Sequence, residues 1–241
     1  MSLDLLCVAA HPDDAELSCG GLLALSASRG QSTGIVDLSA GELATHGTVE
    51  TRAQEAAAAA EVLGLATRRQ LGLPDGGIDG GDAAQVDALV ALIRELRPGL
   101  CLAPHTEARH PDHAAAGALT QRAMFLAGLA KHRPELGAPH RPRVLVYPQR
   151  HEVRPDLVVD VSGVHPTKWA AIRCHASQFG HGDTMVGASL GLSAFDVRDR
   201  YWGASIGVAY GEPYLLGGPV PVADPVTLLS GAPSPVLVPS R

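Results

Sequence analysis

Short apolar runs alternate with helical segments along most of this chain, and this alternation restricts the fold more than any other sequence feature. Residues 3–10 form a nearly continuous apolar run, long enough for a strand that is buried on both faces. Further strands are predicted at residues 33–38, 67–71, 100–103, 144–147 and 157–161, and helices at residues 16–28, 49–63, 82–96, 114–131 and 165–179. Such alternation predicts an α/β fold with a doubly wound, mostly parallel sheet.

We expect one domain over residues 1–210, because 241 residues suit a single α/β domain and are few for two. From residue 211 onwards the last 31 residues hold seven prolines and show no helical periodicity. Residues 211–241 are therefore predicted to form a Pro-rich C-terminal strap or tail and not a second domain.

Charge and composition exclude several classes of partner. The net charge of −6 does not favour a polyanion, and aromatic residues at 4% are too few for single-strand stacking. No apolar run reaches the roughly 18 residues of a membrane span. The N-terminus lacks a basic signal-peptide stretch, and the four cysteines form no C-x-x-C pair. We therefore expect a reduced, cytoplasmic protein that binds neither nucleic acid nor membranes.

Two His-Pro-Asp segments follow two of the predicted strands. His-Pro-Asp-Asp at residues 11–14 ends the first strand, and His-Pro-Asp-His at residues 110–113 follows the fourth strand after a short loop. In a strand order such as 3-2-1-4-5, these two strands are neighbours at the point where the order reverses, and ligands bind there. We therefore expect the two segments to meet in space.

Imidazole and carboxylate ligands without thiolates suit zinc and related divalent ions, including iron(II). A catalytic site needs three protein ligands and an open position, and the available ligands are His11, Asp14 and His113. Three further polar residues then remain for the chemistry: Asp13, His110 and Asp112. The alternative is that each segment is only a capping or hydrogen-bonding pair, with Asp14 as the N-cap of the following helix. Spacing alone leaves both interpretations open.

Four segments resemble the PIG-L/LmbE superfamily of zinc-dependent N-acetylglucosaminyl deacetylases: residues 10–16, 41–42 with 51–55, 73–76, and 109–113. Residues 177–179 and 202–212 are similar, more narrowly, to the bacillithiol-biosynthesis members, which remove acetate from N-acetylglucosaminyl malate. The resemblance implies a Rossmann-like fold with the active site at the carboxyl ends of the strands. It also implies a small amino-sugar substrate, zinc or iron(II) as cofactor, and a homo-oligomer.

By position, the resemblance assigns the metal ligands to His11, Asp14 and His113. It makes Asp13 the base that activates water and the acid that later protonates the amine. His110 would stabilise the oxyanion as an imidazolium, with Asp112 as its orienting partner.

Two arginines are the candidates for substrate contacts. Arg52 resembles the family's contact to a sugar hydroxyl, although an ion pair with Glu55 or Glu61 on its own helix is the alternative. Arg109 is our candidate for a substrate carboxylate, because a guanidinium binds a carboxylate through two bonds; a solvated loop charge is the alternative. His46 stands where such proteins commonly carry an arginine, which leaves fine substrate recognition open.

The other histidines are expected to lie at the surface. His175 is expected on a helix surface, from which it could reach the pocket. The remaining members of this group stand in polar or Pro-rich stretches: His105, His132, His140, His151, His165 and His181.

Functions from other classes fit the sequence less well. A dinucleotide-binding protein would carry G-x-G-x-x-G where residues 11–14 stand, and two carboxylates there would repel a pyrophosphate. A non-catalytic relative would lack Asp13 or a ligand, and this chain retains all of them. Amidases of cysteinyl-sugar conjugates and deacetylases of other amino sugars stay open, because no feature specifies the aglycone.

Overall fold

The computed structural model describes residues 2–147, 154–179 and 191–220. Its strands are β1 (Leu5–Ala9), β2 (Thr33–Ser39), β3 (Thr67–Leu73), β4 (Leu100–Pro104), β5 (Arg143–Tyr147), β6 (Leu157–Asp160) and β7 (Gly211–Leu216). Its helices are α1 (Asp14–Ser28), α2 (Val49–Leu63), α3 (Ala83–Leu96), α4 (Pro111–Ala127), α5 (His165–Cys174), α6 (Ala176–Phe179) and α7 (Ser193–Ser205). The predicted α/β fold is confirmed over these residues.

The strands form one mostly parallel sheet in the order β3-β2-β1-β4-β5-β7-β6. β1 pairs in parallel with β2 on one side and with β4 on the other, and β3 and β5 continue the parallel part outward. β7 is antiparallel to both β5 and β6. The strand order therefore reverses between β1 and β4, as predicted, which leaves a crevice at their carboxyl ends.

β1 is apolar along its whole length because both of its faces are buried. Leu6 and Val8 belong to one apolar cluster with residues of α3 and α4, whereas Leu5, Cys7 and Ala9 belong to a second cluster with residues of α1 and α2. Successive side chains of a strand point to opposite faces, so each must be apolar when helices cover both.

Residues 211–216, which we expected in a strap outside the domain, form β7 within the sheet. Apolar alternation does not reveal this strand, because it contains Pro213 and the buried carboxylate of Glu212. Glu212 accepts hydrogen bonds from the backbone N–H groups of Gly21 and Leu22 and from Nζ of Lys168. The rest of the predicted tail, residues 221–241, lies outside the described residues.

Two helices differ from the prediction. The single helix expected at residues 165–179 is interrupted at His175, which separates α5 from α6. α7 was not predicted, because its buried residues are Phe195, Asp199 and Gly203 and they make no apolar stripe. In the part of the chain that the structure describes, no helix is long and apolar enough to span a membrane.

Candidate active site

A strained turn joins β1 to α1 and carries the first His-Pro-Asp segment. Asp13 has a φ of 125°, a conformation that residues other than glycine rarely adopt. Asp13 stands at the N-cap position of α1 but makes no side-chain capping hydrogen bond. The Asp14 carboxylate instead accepts a bond of 2.9 Å from the backbone N–H of His11. The capping interpretation is therefore wrong for this turn, and both carboxylates line a cleft.

The structure brings the three predicted metal ligands together. Nε2 of His113 lies 3.2 Å from Oδ1 of Asp14 and 3.3 Å from Nδ1 of His11. One donor atom from each residue lies within 4.8 Å of the other two. Two imidazole nitrogens and a carboxylate oxygen, with no thiolate, are the donors of a catalytic zinc or iron(II) site. The residues therefore fit a divalent ion.

Two carboxylates hold His11 from the side opposite this cluster. Nε2 of His11 lies 3.1 Å from Oδ1 of Asp75 and 3.3 Å from Oδ2 of Asp112. Since carboxylates only accept hydrogen bonds, Nε2 carries a proton and Nδ1 is left to offer its lone pair to an ion. Asp75 also accepts a bond of 2.9 Å from the backbone N–H of Leu43, which connects the loop after β2 to His11.

The hydrogen bond between Asp112 and His110 runs through the backbone of Asp112. The carboxylate of Asp112 accepts a bond of 2.7 Å from the backbone N–H of Gly76 and lies 3.3 Å from Nε2 of His11, and one of its oxygens is within 4.8 Å of a ring nitrogen of His110. The backbone N–H of Asp112 instead donates to Nδ1 of His110, which caps α4. This bond leaves the His110 proton on Nε2. Burial and the nearby rings of His113 and His11 lower the pKa of His110, which disfavours the expected imidazolium.

Asp13 lines the cleft and does not belong to the ligand cluster. Burial, together with the neighbouring Asp14 carboxylate, raises the pKa of Asp13 to about 6, and the charge of Arg52 opposes this rise. A carboxylate with such a pKa can both take up and release a proton near neutral pH.

Arg52 is buried beneath this turn. Its guanidinium donates to the carbonyl oxygens of Gly41 at 2.9 Å and Pro12 at 2.6 Å, and lies 3.4 Å from Oδ2 of Asp13. It pairs with neither of the glutamates that we had considered on its own helix. Arg52 thus holds the turn and the loop after β2, and its contact with a sugar hydroxyl stays a prediction.

The cleft has a volume of about 520 Å³, within the usual range for small-molecule sites. It is lined by every predicted site residue except Asp112. Arg109 lies at the wall of this cleft with its side chain exposed, and apolar groups from Leu17, Leu43 and Phe195 also line it. The cleft is therefore large enough for a sugar conjugate beside the ligand cluster.

Comparison with known proteins gives the family. The model for GlcNAc-PI de-N-acetylase (PIG-L) matches residues 6–124, which contain both His-Pro-Asp segments. Diacetylchitobiose deacetylase from Thermococcus kodakarensis is 31% identical over 189 residues, which cover 73% of this chain and 70% of that protein. This chain belongs to the PIG-L family. The match supports a deacetylase that acts on substrates of the N-acetylglucosamine type.

Three other proteins extend the comparison. The probable N-acetyl-α-D-glucosaminyl L-malate deacetylase 2 of Bacillus cereus is 29% identical over 192 residues, covering 74% of this chain and 84% of that protein. The 4-oxalmesaconate hydratase of Pseudomonas putida is 30% identical over 196 residues, which cover 72% of this chain and 73% of that protein. The crystal structure of the conserved protein TT1542 from Thermus thermophilus shares 42% identity with a TM-score of 0.84, covering 92% and 97%.

Two histidines of this PIG-L protein that we expected at the surface are buried. His175 is fully buried and lies 3.1 Å from Oε1 of Glu16; the Glu16 carboxylate raises the pKa of His175 although burial opposes its charge. His165 is buried and stacks on the ring of Tyr210 at 3.5 Å. His105, His132 and His140 are exposed or half-buried, and His151 and His181 lie outside the described residues.

Residues 73–76 are one of the segments that resemble the family, but the sequence alone assigns no role to Asp75. Its contact with His11 depends on the loop after β3, which approaches the crevice from a strand two places away from β1. The Pro-Asp-Gly sequence predicts a turn there. A turn sequence does not specify the direction of the Asp75 carboxylate.

Proposed function

We propose that this PIG-L protein removes acetate from the N-acetyl group of a small N-acetylglucosamine conjugate in a metal-dependent hydrolysis, with N-acetylglucosaminyl malate as its substrate. The observation that carries the proposal is the convergence of His11, Asp14 and His113 beside Asp13 in one cleft. Family membership and the deacetylases among the relatives support hydrolysis of an amide. The similarity to a probable malate deacetylase supports the malate conjugate.

His11, Asp14 and His113 are the residues that would hold zinc or iron(II). A divalent ion bound by such ligands polarises an amide carbonyl and lowers the pKa of water. Asp75 and Asp112 keep His11 oriented from behind, so the donor atom does not have to reorganise when an ion binds.

Asp13 moves the proton. It removes a proton from the attacking water as the new bond from oxygen to the carbonyl carbon forms. When the bond between this carbon and nitrogen breaks, Asp13 gives the proton to the departing amine, and acetate is the other product. The ordinary pKa of an aspartate, about 3.9, would make it a weak base at neutral pH. The raised pKa of about 6 suits both halves of this task.

His110 stabilises the negative oxygen that develops on the carbonyl. Because Nδ1 accepts the backbone N–H of Asp112, the neutral ring carries its proton on Nε2 and donates from there. His110 lines the cleft beside His113, with the two ring centres 4.7 Å apart. A donor fixed in this way does not need to reorganise when charge develops, which is how oxyanion sites accelerate acyl transfer.

Arg109 binds a carboxylate of the malate group. It lies on the cleft wall and is exposed, so a substrate can reach its guanidinium. A planar guanidinium binds a carboxylate through two parallel hydrogen bonds, which gives both charge and orientation.

An amine-release assay tests the proposal. The purified protein is incubated with N-acetylglucosaminyl malate, N,N'-diacetylchitobiose or free N-acetylglucosamine, and the liberated amine is measured. We expect the malate conjugate to be cleaved fastest, and the Asp13→Asn protein to release amine ~10²–10⁴ times more slowly. Faster cleavage of another amino sugar would contradict the malate conjugate as substrate but would still support a deacetylase. No release from any of the three would overturn the proposed function.

A second candidate function comes from the hydratase among the relatives. A hydratase adds water across a carbon–carbon double bond and releases no amine. To distinguish the two reactions, the protein is incubated with 4-oxalmesaconate and the ultraviolet absorbance of this compound is followed. Loss of absorbance without amine release in the first assay would favour the hydratase.

We also propose a homo-oligomer in the cytoplasm. The resemblance to a superfamily with oligomeric members supports the first part, and the scattered cysteines support a reducing compartment. Light scattering coupled to size exclusion checks the assembly, and a monomeric mass would contradict it.

A further inference from the structure

A four-residue segment, residues 175–178, is bonded to three elements that carry the candidate site. His175 contacts Glu16 on α1. The backbone N–H and the hydroxyl of Ser177 donate to the two carboxylate oxygens of Glu55 on α2, at 2.6 and 2.7 Å. Nε2 of Gln178 donates to the carbonyl oxygen of His46, at 2.7 Å, in the loop after β2. The segment thus has a defined position relative to the cleft.

The loop after β2 approaches this segment closely. Gly47 has a φ of 80°, and a Cβ atom placed on it would lie 2.7 Å from Oγ of Ser177. Only glycine fits a positive φ at so short a distance. The bond from Gln178 goes to the backbone of His46, so it does not depend on which side chain stands at position 46. The departure from the family's arginine there leaves the contact unchanged.

The chemistry of these contacts determines which way the Gln178 amide faces. A backbone carbonyl only accepts hydrogen bonds, so the group against the His46 carbonyl must be the NH₂ of Gln178. This NH₂ also lies 3.0 Å from Oγ of Ser177. Both amide protons are therefore used, and only Oε1 remains to bind something else.

Gln178 lines the cleft, and its side chain is partly exposed there. Over the residues described here, no group donates a hydrogen bond to Oε1 of Gln178. A neutral acceptor with a fixed orientation in a cleft selects a ligand that donates from O–H or N–H.

We propose that Gln178 is a substrate-binding residue whose Oε1 accepts a hydrogen bond from one hydroxyl of the amino sugar. This inference rests on the proposed function, since it takes an N-acetylglucosamine conjugate as the ligand. It deepens that function by naming a residue that selects the sugar and takes no part in the chemistry. Gln178 therefore affects which sugar is cleaved and not how the amide is broken.

Deoxy sugars test the contact. The parent N-acetylglucosaminyl malate and its 3-deoxy, 4-deoxy and 6-deoxy forms are compared by kcat/KM with the wild type, Gln178→Met and Ser177→Ala. Met has similar length but no acceptor oxygen, whereas Ser177→Ala loosens the segment and keeps Oε1. With the wild type, kcat/KM for one deoxy sugar should be about 5- to 10-fold lower than for the parent, as expected for the loss of one neutral hydrogen bond. With Gln178→Met this sugar and the parent should be cleaved equally well.

The pattern across variants separates substrate contact from structural support. A structural role alone would lower kcat/KM for all four sugars by the same factor, which is what we expect of Ser177→Ala. If Gln178→Met showed the same loss of kcat/KM on the deoxy sugar as the wild type, the inference would be overturned, but the proposed deacetylase function would not be affected. Failure of the wild type to cleave the parent sugar would overturn the proposed function and this inference with it.

Discussion

Nε2 of His113 lies 3.3 Å from Nδ1 of His11, although the two residues are 102 positions apart in the chain. One follows β1 and the other begins α4 after β4, and these strands are neighbours where the strand order reverses. The Asp14 carboxylate lies beside both rings, so two imidazole nitrogens and a carboxylate oxygen converge on one point. This convergence is the observation that supports a divalent ion here.

Replacement of His113 by alanine should abolish metal binding. We expect about one zinc or iron(II) ion per wild-type chain and less than about a tenth of that in His113→Ala, because two ligands do not hold such an ion tightly. Plasma emission spectroscopy of the purified proteins measures this content. The matched control is His132→Ala, since His132 pairs with Asp87 away from the cleft. Full metal content in His113→Ala would refute the ligand assignment.

Asp13→Asn should keep the metal and lose turnover. The amide has the shape of the carboxylate but cannot take up a proton, so kcat should fall by ~10²–10⁴. Amine release under saturating substrate, with metal content measured on the same sample, checks both parts. Wild-type turnover in this variant would remove Asp13 from the mechanism.

Asp75→Asn should weaken metal binding without removing a ligand. Loss of the charge behind His11 makes its ring a poorer donor, and such partners typically contribute roughly 10- to 100-fold in affinity. Competition with a chromophoric chelator measures the dissociation constant. Asp79→Asn is the control, because Asp79 is exposed and its carboxylate accepts a bond from the backbone N–H of Gly81, two residues away. Equal affinities in the two variants would contradict the role of Asp75.

Lys168→Ala should destabilise the fold. Nζ of Lys168 lies 2.6 Å from Asp199 and 2.7 Å from Glu212, and all three side chains are fully buried. Removal of the cation leaves two buried carboxylates without it, which typically costs about 3–5 kcal/mol of unfolding free energy. Urea denaturation followed by circular dichroism measures this loss. Arg200→Ala, which breaks an exposed ion pair with Asp196, should change stability little.

Stability should depend on pH through His175. The Glu16 carboxylate raises the pKa of His175 above its ordinary value, so the folded state holds this proton more tightly than the unfolded state. The stabilisation is complete below the unfolded value of about 6.5 and is lost as pH rises through the raised value. The unfolding free energies of wild type and His175→Gln should therefore converge as the pH rises above about 6.5. A constant difference would contradict this titration.

The sequence by itself predicted the α/β class, the adjacency of the first and fourth strands and the meeting of residues 11–14 with residues 110–113. These conclusions depend on local patterns: apolar runs mark buried strands, and topology rules place the ends of β1 and β4 side by side. The same patterns missed β7 and α7, because their buried groups include Glu212 and Asp199. Such groups have no apolar periodicity, and they are stable inside because Lys168 lies between them and Arg198 and backbone N–H groups bond to them as well.

Only the tertiary structure decided how the site residues bond to each other. The resemblance makes Asp112 the orienting partner of His110, and the structure shows that the backbone N–H of Asp112 bonds to His110 while its carboxylate contacts His11. Arg52 and Gln178 contact carbonyl oxygens of loops that are distant in the chain. A sequence motif specifies residue types at a strand end, but the direction of a side chain depends on backbone angles and on neighbours brought in by folding. The convergence of His11, Asp14 and His113 was therefore predictable from the sequence, and the contacts that support these residues were not.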